Sequence, residues 1–237
     1  IDGVVLSWGR NDKGQLGNGS DAEQNVTPTA ITTFNFTDPD TYIVKIAAGQ
    51  AHALALDSNG QVWAWGSNES GQLGIGSSTL RKVTQPQQVN IPGLSLENGG
   101  RVVAIYAGDT SSYLITENGV VYACGVRTVI DKEQVTNNNY GNVPGALSML
   151  THAIEISGRY ALKSGGTIWM LPSNLTSPDI TKATALAGAG NYTTNQAVQI
   201  AAHTDHIENR VDGENGQTVT VETVEHLLVL DKDRNVW

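Results

Sequence analysis

Between Ile43 and Gly66 the chain reads IVKIAAGQAHALALDSNGQVWAWG, where Ala51, Ala53 and Ala55 make one phase of the alternation apolar and Leu54 and Leu56 the other. A short run that is apolar on both faces and bounded by Gly49 and Asn59-Gly60 predicts a buried strand, not a helix. Asn59-Gly60 has the chemistry of a two-residue hairpin turn, so Leu54 to Leu56 and Val62 to Trp65 are predicted to pair antiparallel. The pattern returns. Tyr113-Leu114-Ile115 leads through Asn118-Gly119 into Val120 to Gly125, with Tyr122 in place of Trp63 and Cys124 in place of Trp65. Tyr160-Ala161-Leu162 leads through Gly165-Gly166 into Thr167 to Leu171, and a last copy opens at His226 and runs to Trp237.

The connecting loops repeat as well. SWGRNDKGQLGNG (Ser7 to Gly19) recurs as AWGSNESGQLGIG (Ala64 to Gly76), with eight of thirteen positions identical, and both Trp8–Trp65 and Gly14–Gly71 lie 57 residues apart. A fixed period of this size means stacked supersecondary units, a solenoid or a propeller. The glycines of GQLG suit a compact loop in which backbone closely approaches backbone. The A-G-x-x-H-x-L-A-L, N-G-x-V-x-x-W-G and G-Q-L-G signatures resemble repeats of the RCC1 (regulator of chromosome condensation) family. That resemblance implies an all-β fold, a β-propeller whose units of about fifty residues close as seven blades. It is specific in residues 1–76, carries on to 125 and is thin from 126 to 225. The third and fourth copies lack GQLG, and the Trp-Gly pair becomes Cys124-Gly125 and Met170-Leu171.

The 237 residues are expected to form one all-β domain, 1–237, with about four repeats. Both ends cut through a repeat, and an arc with open edges leaves strands unpaired, so the expectation is a segment of a seven-bladed propeller. Completion by another chain and closure of the four repeats on themselves both stay open. Thr204 to Glu225 interrupt a repeat between Ala202 and His226. The alternation Thr218-Val219-Thr220-Val221 predicts a β-hairpin there, an insertion at about 203–225 projecting from the rim.

Charge narrows the partners. The net charge is −9, with 14 basic residues against 23 acidic ones and Arg81-Lys82 as the only adjacent basic pair, which disfavours nucleic acid. No apolar stretch predicts membrane insertion. The lone Cys124 is expected to be a small buried hydrophobe. Six N-x-S/T sequons begin at Asn18, Asn25, Asn35, Asn68, Asn174 and Asn191. With the low lysine content they point to an extracellular or cell-surface setting, a secreted glycoprotein or a virion assembly.

Candidate chemistry is sparse. Asp231-x-Asp233-x-Asn235 imitates a calcium loop, but Val236 stands where that loop needs glycine, and the match to Asp57-Ser58-Asn59-Gly60 makes it a hairpin turn. His203, His206 and His226, with Asp205, Glu208 and Glu225, could gather round a metal. His226 matches His52, however, and the resemblance makes that slot a structural residue at the hairpin base. No metal and no cofactor are expected. No G-x-S-x-G, no Cys–His pair and no G-x-x-x-x-G-K is present, so an enzyme is not expected. Trp8, Trp63, Trp65, Trp169 and Trp237 fall on repeat strands, where packing accounts for them.

The expected function is a non-enzymatic scaffold that displays variable loops to another protein, or to further copies or segments of the same propeller. His203, His206, Asp212, Glu214 and Asn215 on the insertion are the residues to probe. The resemblance alone adds guanine-nucleotide exchange on a small GTPase as a second expectation. Carbohydrate binding is a third, and it requires exposed aromatics.

Overall fold

The computed structural model describes residues 3–77, 79–94, 100–131, 134–147, 150–158, 160–171, 197–213 and 216–231. Every regular element among them is a β-strand, and all the pairings are antiparallel. The first sheet pairs β1 (Leu6–Arg10) with β2 (Gln24–Ala30). The second is a four-stranded blade of β3 (Ile43–Ala48), β4 (His52–Asp57), β5 (Val62–Ser67) and β6 (Lys82–Gln88). The third repeats it with β7 (Val102–Ala107), β8 (Ser111–Thr116), β9 (Val121–Asp131) and β10 (Gln134–Ala146). The fourth holds β11 (Ala153–Ser157), β12 (Tyr160–Lys163) and β13 (Ile168–Met170). The fifth is one long hairpin, β14 (Ala197–Gly213) with β15 (Gly216–Asp231). The leading strands β3, β7, β11 and β14 lie side by side from sheet to sheet, as successive propeller blades require.

The strands predicted from alternation pair antiparallel, one position off the register that a two-residue turn would set: Leu54 with Ala64 and Leu56 with Val62, Leu114 with Tyr122, and Ala161 with Trp169. β5 and β8 are buried along their whole length, which is why their sequences are apolar in both phases. Phe34 and Phe36 cap the second blade edge-on, with Phe34 at 5.9 Å from both Trp63 and Trp65 and Phe36 at 5.5 Å from Trp63.

The turns differ from expectation. Asn59-Gly60 is not a two-residue turn: Gly60 N–H donates to Asp57 O at 3.0 Å and Asp57 N–H to Gln61 O at 3.0 Å, with Gly60 at φ 81°. That is a three-residue loop, a tight turn followed by one left-handed residue. Thr116 to Val120 and Lys163 to Thr167 repeat it bond for bond. Asp57 selects the wider loop. Its Oδ1 accepts the amides of Asn59 and Gln61, and its Oδ2 accepts the Trp63 indole at 3.0 Å.

Successive blades are joined through one backbone carbonyl. Gln15, in the GQLG loop after β1, offers its carbonyl to the Trp65 indole Nε1–H at 2.9 Å. One blade on, the Gln72 carbonyl accepts the Ser112 hydroxyl at 2.7 Å and the Cys124 thiol at 3.5 Å. Ser112 stands in the place of Ala53 and Cys124 in that of Trp65, so a hydroxyl supplements the shorter side chain. The second glycine of each loop permits the approach. A Cβ on Gly17 would lie 2.6 Å from Trp65 Nε1, and one on Gly74 would lie 2.9 Å from Cys124 Sγ. Cys124 is buried as expected, and burial pushes its thiol pKa up to about 12, which leaves it inert.

His52, 1% exposed, extends the junction, with Nε2 2.9 Å from Ser112 Oγ. The one Ser112 proton goes to Gln72, so the imidazole must donate from Nε2, and Nδ1 is left buried without a partner. Burial also pulls the imidazole pKa from 6.5 down to about 4.

Two outcomes are expected from this architecture. Asp57→Ala strands the buried Trp63 indole and two loop amides, and should lower stability by about 3 kcal/mol in urea denaturation; a change within ~0.5 kcal/mol would show that the carboxylate does not set the turn. For His52, the unfolded chain takes up a proton near pH 6.5 and the folded chain only near 4. The stabilisation is therefore present above pH 6.5 and is lost as pH falls through that window, by about 3 kcal/mol in all. His52→Gln should flatten this arm of the pH–stability curve, and an unchanged slope would assign it to other groups.

Candidate functional site

The two ends of the blades differ. Antiparallel order places the connections between first and second strands at the same end as those between third and fourth strands, and those between second and third at the other. The latter are the uniform three-residue loops at 57–61, 116–120 and 163–167. The former vary, and both prolonged hairpins, β9–β10 and β14–β15, emerge there.

At that end the loops after β1 and β5 are built alike. Asn11, 1% exposed, donates from Nδ2 to the carbonyls of Ser20 and Ala22 and accepts the Leu16 amide. Asn68 does the same for Ser77, Leu80 and Leu73. The Gln15 and Gln72 side chains each accept the amide two residues upstream, at 2.8 and 2.9 Å. The loops are thus fixed from within by buried amides. Lys13 bridges outward to Glu69 of the next loop at 2.7 Å, an exposed pair of small energetic value. Arg10 beside Asp12, helped by Gln15, draws that carboxyl down to about 2.

In the third blade the GQLG loop is gone. β9 and β10 continue past Gly125 as a hairpin in which Val126 pairs Asn139 and Asp131 pairs Gln134. Sequence reading missed this hairpin, although the β-branched run Val126, Thr128, Val129, Ile130 followed by Val135-Thr136 carries its signal.

The fifth sheet holds the predicted insertion. It is not an element added at the outer edge. Ile200-Ala201-Ala202 of β14 matches Ile46-Ala47-Ala48 of β3, and His226 to Asp231 of β15 matches His52 to Asp57 of β4 in sequence and register. The leading strand pair is simply prolonged, and pairing runs unbroken from Gln199–Leu230 to Gly213–Gly216. His203 lies opposite His226, His206 opposite Thr223, and Asp212 opposite Gln217 near the tip. Glu214 and Asn215 lie outside the described residues, as do Asn174, Asn191, Trp237 and the Asp233–Asn235 part of the calcium-like run. Residues 204–225 carry six carboxylates against one arginine.

The remaining sequence candidates separate. Trp63 and Trp65 are buried, Lys163 covers the Trp169 ring at 4.5 Å, and Trp8 is 59% exposed. Trp63 and Trp65 therefore pack and do not present a stacking face to sugar. Among the sequons, Asn68 is buried with its amide fully engaged, Asn18 accepts the Ser20 amide, and Asn25 donates to Thr29 and accepts from Thr27. Asn35 is exposed. Asn18, Asn25 and Asn68 are explained by loop chemistry.

Residues 2–56 and 59–115 match the Regulator of chromosome condensation (RCC1) repeat, and residues 43–72 match a second description of the same repeat. The chain is 37% identical over 125 residues to the RCC2 homolog of Xenopus laevis, covering 53% of the chain and 22% of that protein. It is 36% identical over 123 residues to the probable E3 ubiquitin-protein ligase HERC6 of Homo sapiens, covering 52% of the chain and 11% of that protein. The crystal structure of Prp20p from Saccharomyces cerevisiae, described with its binding to Gsp1p and histones, superposes over 100% of this chain and 53% of its own, with TM-score 0.62 and 19% identity. The matched segments are thus minor parts of the two sequence relatives, and the chain spans about half of the yeast protein. These findings overturn the extracellular, secreted or virion setting: proteins of ubiquitin transfer and histone binding work inside the cell, and three of the six sequon asparagines, Asn18, Asn25 and Asn68, bond their own loops. Residues 2–115 carry repeats of the regulator of chromosome condensation (RCC1) family, and the chain folds as blades of an RCC1-type β-propeller.

Proposed function

We propose that this chain is a protein-interaction propeller without catalysis of its own, and that the end bearing both prolonged hairpins is its binding face. One observation carries the reading: β9–β10 and β14–β15 leave the scaffold at the same end as the GQLG loops. The junction locked by Gln72 holds the base of β9–β10 still, which limits the ordering cost of binding. The excess of carboxylates over residues 204–225 favours a positively charged protein surface as partner. The histone binding described for the yeast neighbour supplies a concrete probe.

The second blade supplies the control, because Gly49-Gln50-Ala51 occupies the place of residues 203–225 there. The intact chain should bind immobilised core histones saturably, and about tenfold or more weakly at ~0.5 M than at ~0.05 M salt. Replacing 203–225 by Gly-Gln-Ala should leave the fold in place and weaken binding at least tenfold. Equal binding by the trimmed chain would remove the hairpin from the site. Accelerated nucleotide release from a small GTPase would replace this reading with that of an exchange factor.

A further inference from the structure

The third strand of a complete blade carries a glycine shaped by the strand beside it. Gly66 holds φ 101°, and a Cβ there would stand 2.5 Å from Ala51 O and 2.7 Å from His52 Cα. Gly125 holds φ 87°, with Thr110 O at 2.4 Å from the same point. Gly9, 57 residues before Gly66, holds φ 101° as well, yet a Cβ there would meet nothing within 4 Å. β1 takes the place of β5, and among the described residues it pairs only with β2. The side that β4 fills on β5 is therefore open on β1.

Exposure marks the same gap. Trp8 is 59% and Leu6 51% exposed, whereas Trp65 and Trp63, in their places on β5, are 3% exposed. Ile46 is 61% exposed, whereas Ile105, Ile156 and Ile200, which share its register on β7, β11 and β14, are buried. The complementary gap lies on the long hairpin. β15 takes the place of β4, and among the described residues it pairs only with β14. Leu228 is 55% exposed there, against 1% for Leu54 in the same register. One edge lacks a second strand and the other a third. The chain superposes on 53% of the yeast propeller, which sets its two open edges half a ring apart.

We propose that two copies of this chain close into a ring, each lending the free edge of β15 to the free edge of β1 in the other. A two-fold axis makes the two junctions identical and leaves neither of these edges open. β4 and β5 dictate the register: His52–Gly66 becomes His226–Gly9, Leu54–Ala64 becomes Leu228–Ser7, and Leu56–Val62 becomes Leu230–Val5. The shared blade then runs β14–β15–β1–β2, the order of β3–β4–β5–β6. The backbone entering the second copy's β15 fills the space beside Gly9, and Trp8, Leu6 and Leu228 leave water. The pairing uses residues 226–231 and not the prolonged part of the hairpin, so it stands apart from the hairpin's binding role.

Sedimentation velocity on the full chain tests this, and a species of twice the chain mass should form reversibly as concentration rises. Leu6→Lys and Leu228→Lys each place a charge at a half-exposed position. The fold should persist by circular dichroism, while the dimer dissociation constant rises about tenfold or more. Ser7→Cys with Leu228→Cys tests the register. Counting from the hydrogen-bonded Asp57–Gln61 pair, Leu54 and Ala64 form a non-hydrogen-bonded pair, and such pairs lie close enough for a disulfide. Mild oxidation should therefore trap a dimer, and Ser7→Cys with Val229→Cys should trap far less. A chain that stays monomeric, a dimer indifferent to both lysine substitutions, or equal trapping by the two cysteine pairs would each overturn the closure. The chain trimmed at 203–225 should dimerise as the intact chain does, even where its histone binding is lost.

Discussion

The first two blade junctions each depend on one backbone carbonyl. A GQLG loop leaves the third strand of one blade and presents the carbonyl of its glutamine to the third strand of the next. Several requirements follow from that contact. The loop must turn sharply, so Gly14, Gly17, Gly71 and Gly74 all hold positive φ, a conformation costing a residue with a side chain roughly 1–2 kcal/mol. It must not collapse, so Asn11 and Asn68 tie its interior from buried positions. The facing strand must bring a donor to an otherwise buried acceptor, since leaving that carbonyl unpaired would cost about 1–3 kcal/mol.

Much of this was legible in the sequence because period and burial leave direct marks. Strands apolar in both phases, such as Leu54 to Leu56, are those with no solvent face, and the hairpin glycines mark where they turn. The 57-residue spacing of the GQLG loops gave the stacking. The turn type was misread because Asn-Gly suits a two-residue loop locally. What decides the matter is Asp57, whose carboxylate holds two loop amides and a tryptophan six residues on. Tertiary bonding overrode a local preference, and no dipeptide pattern shows that.

The candidate site was less legible. The insertion was located by the break between Ala202 and His226, but its attachment to the leading strand pair depends on which residues face each other. One position of slip would move every side chain to the other face. The coincidence of both hairpins at one end needs the strand order as well as the strand positions. The cellular setting failed for a different reason: asparagine followed two residues later by serine or threonine is also what polar loops use to bind their own backbone. Asn68, buried and engaged at both amide atoms, is a sequon by letter and a loop brace by structure.

The donor on the third strand follows the acceptor in the loop before it. Trp65 faces the Gln15 carbonyl and carries an indole N–H. Cys124 faces Gln72, and since a thiol is a weak donor, Ser112 joins it where the second blade has Ala53. The third blade has a prolonged hairpin in place of the loop, and the same slot in the fourth blade is Leu171, which is 3% exposed in an apolar cluster with Tyr140, Leu147 and Leu150. A donor there would be buried without its acceptor; an aliphatic side chain loses nothing. At the fourth copy the loss of Trp-Gly, which reads in the sequence as decay of the repeat, is therefore matched by the loss of the GQLG loop before it. Once β9–β10 replaces a GQLG loop, the slot beside it is filled by an aliphatic side chain, and the end of the blades freed from that loop is where this chain builds outward.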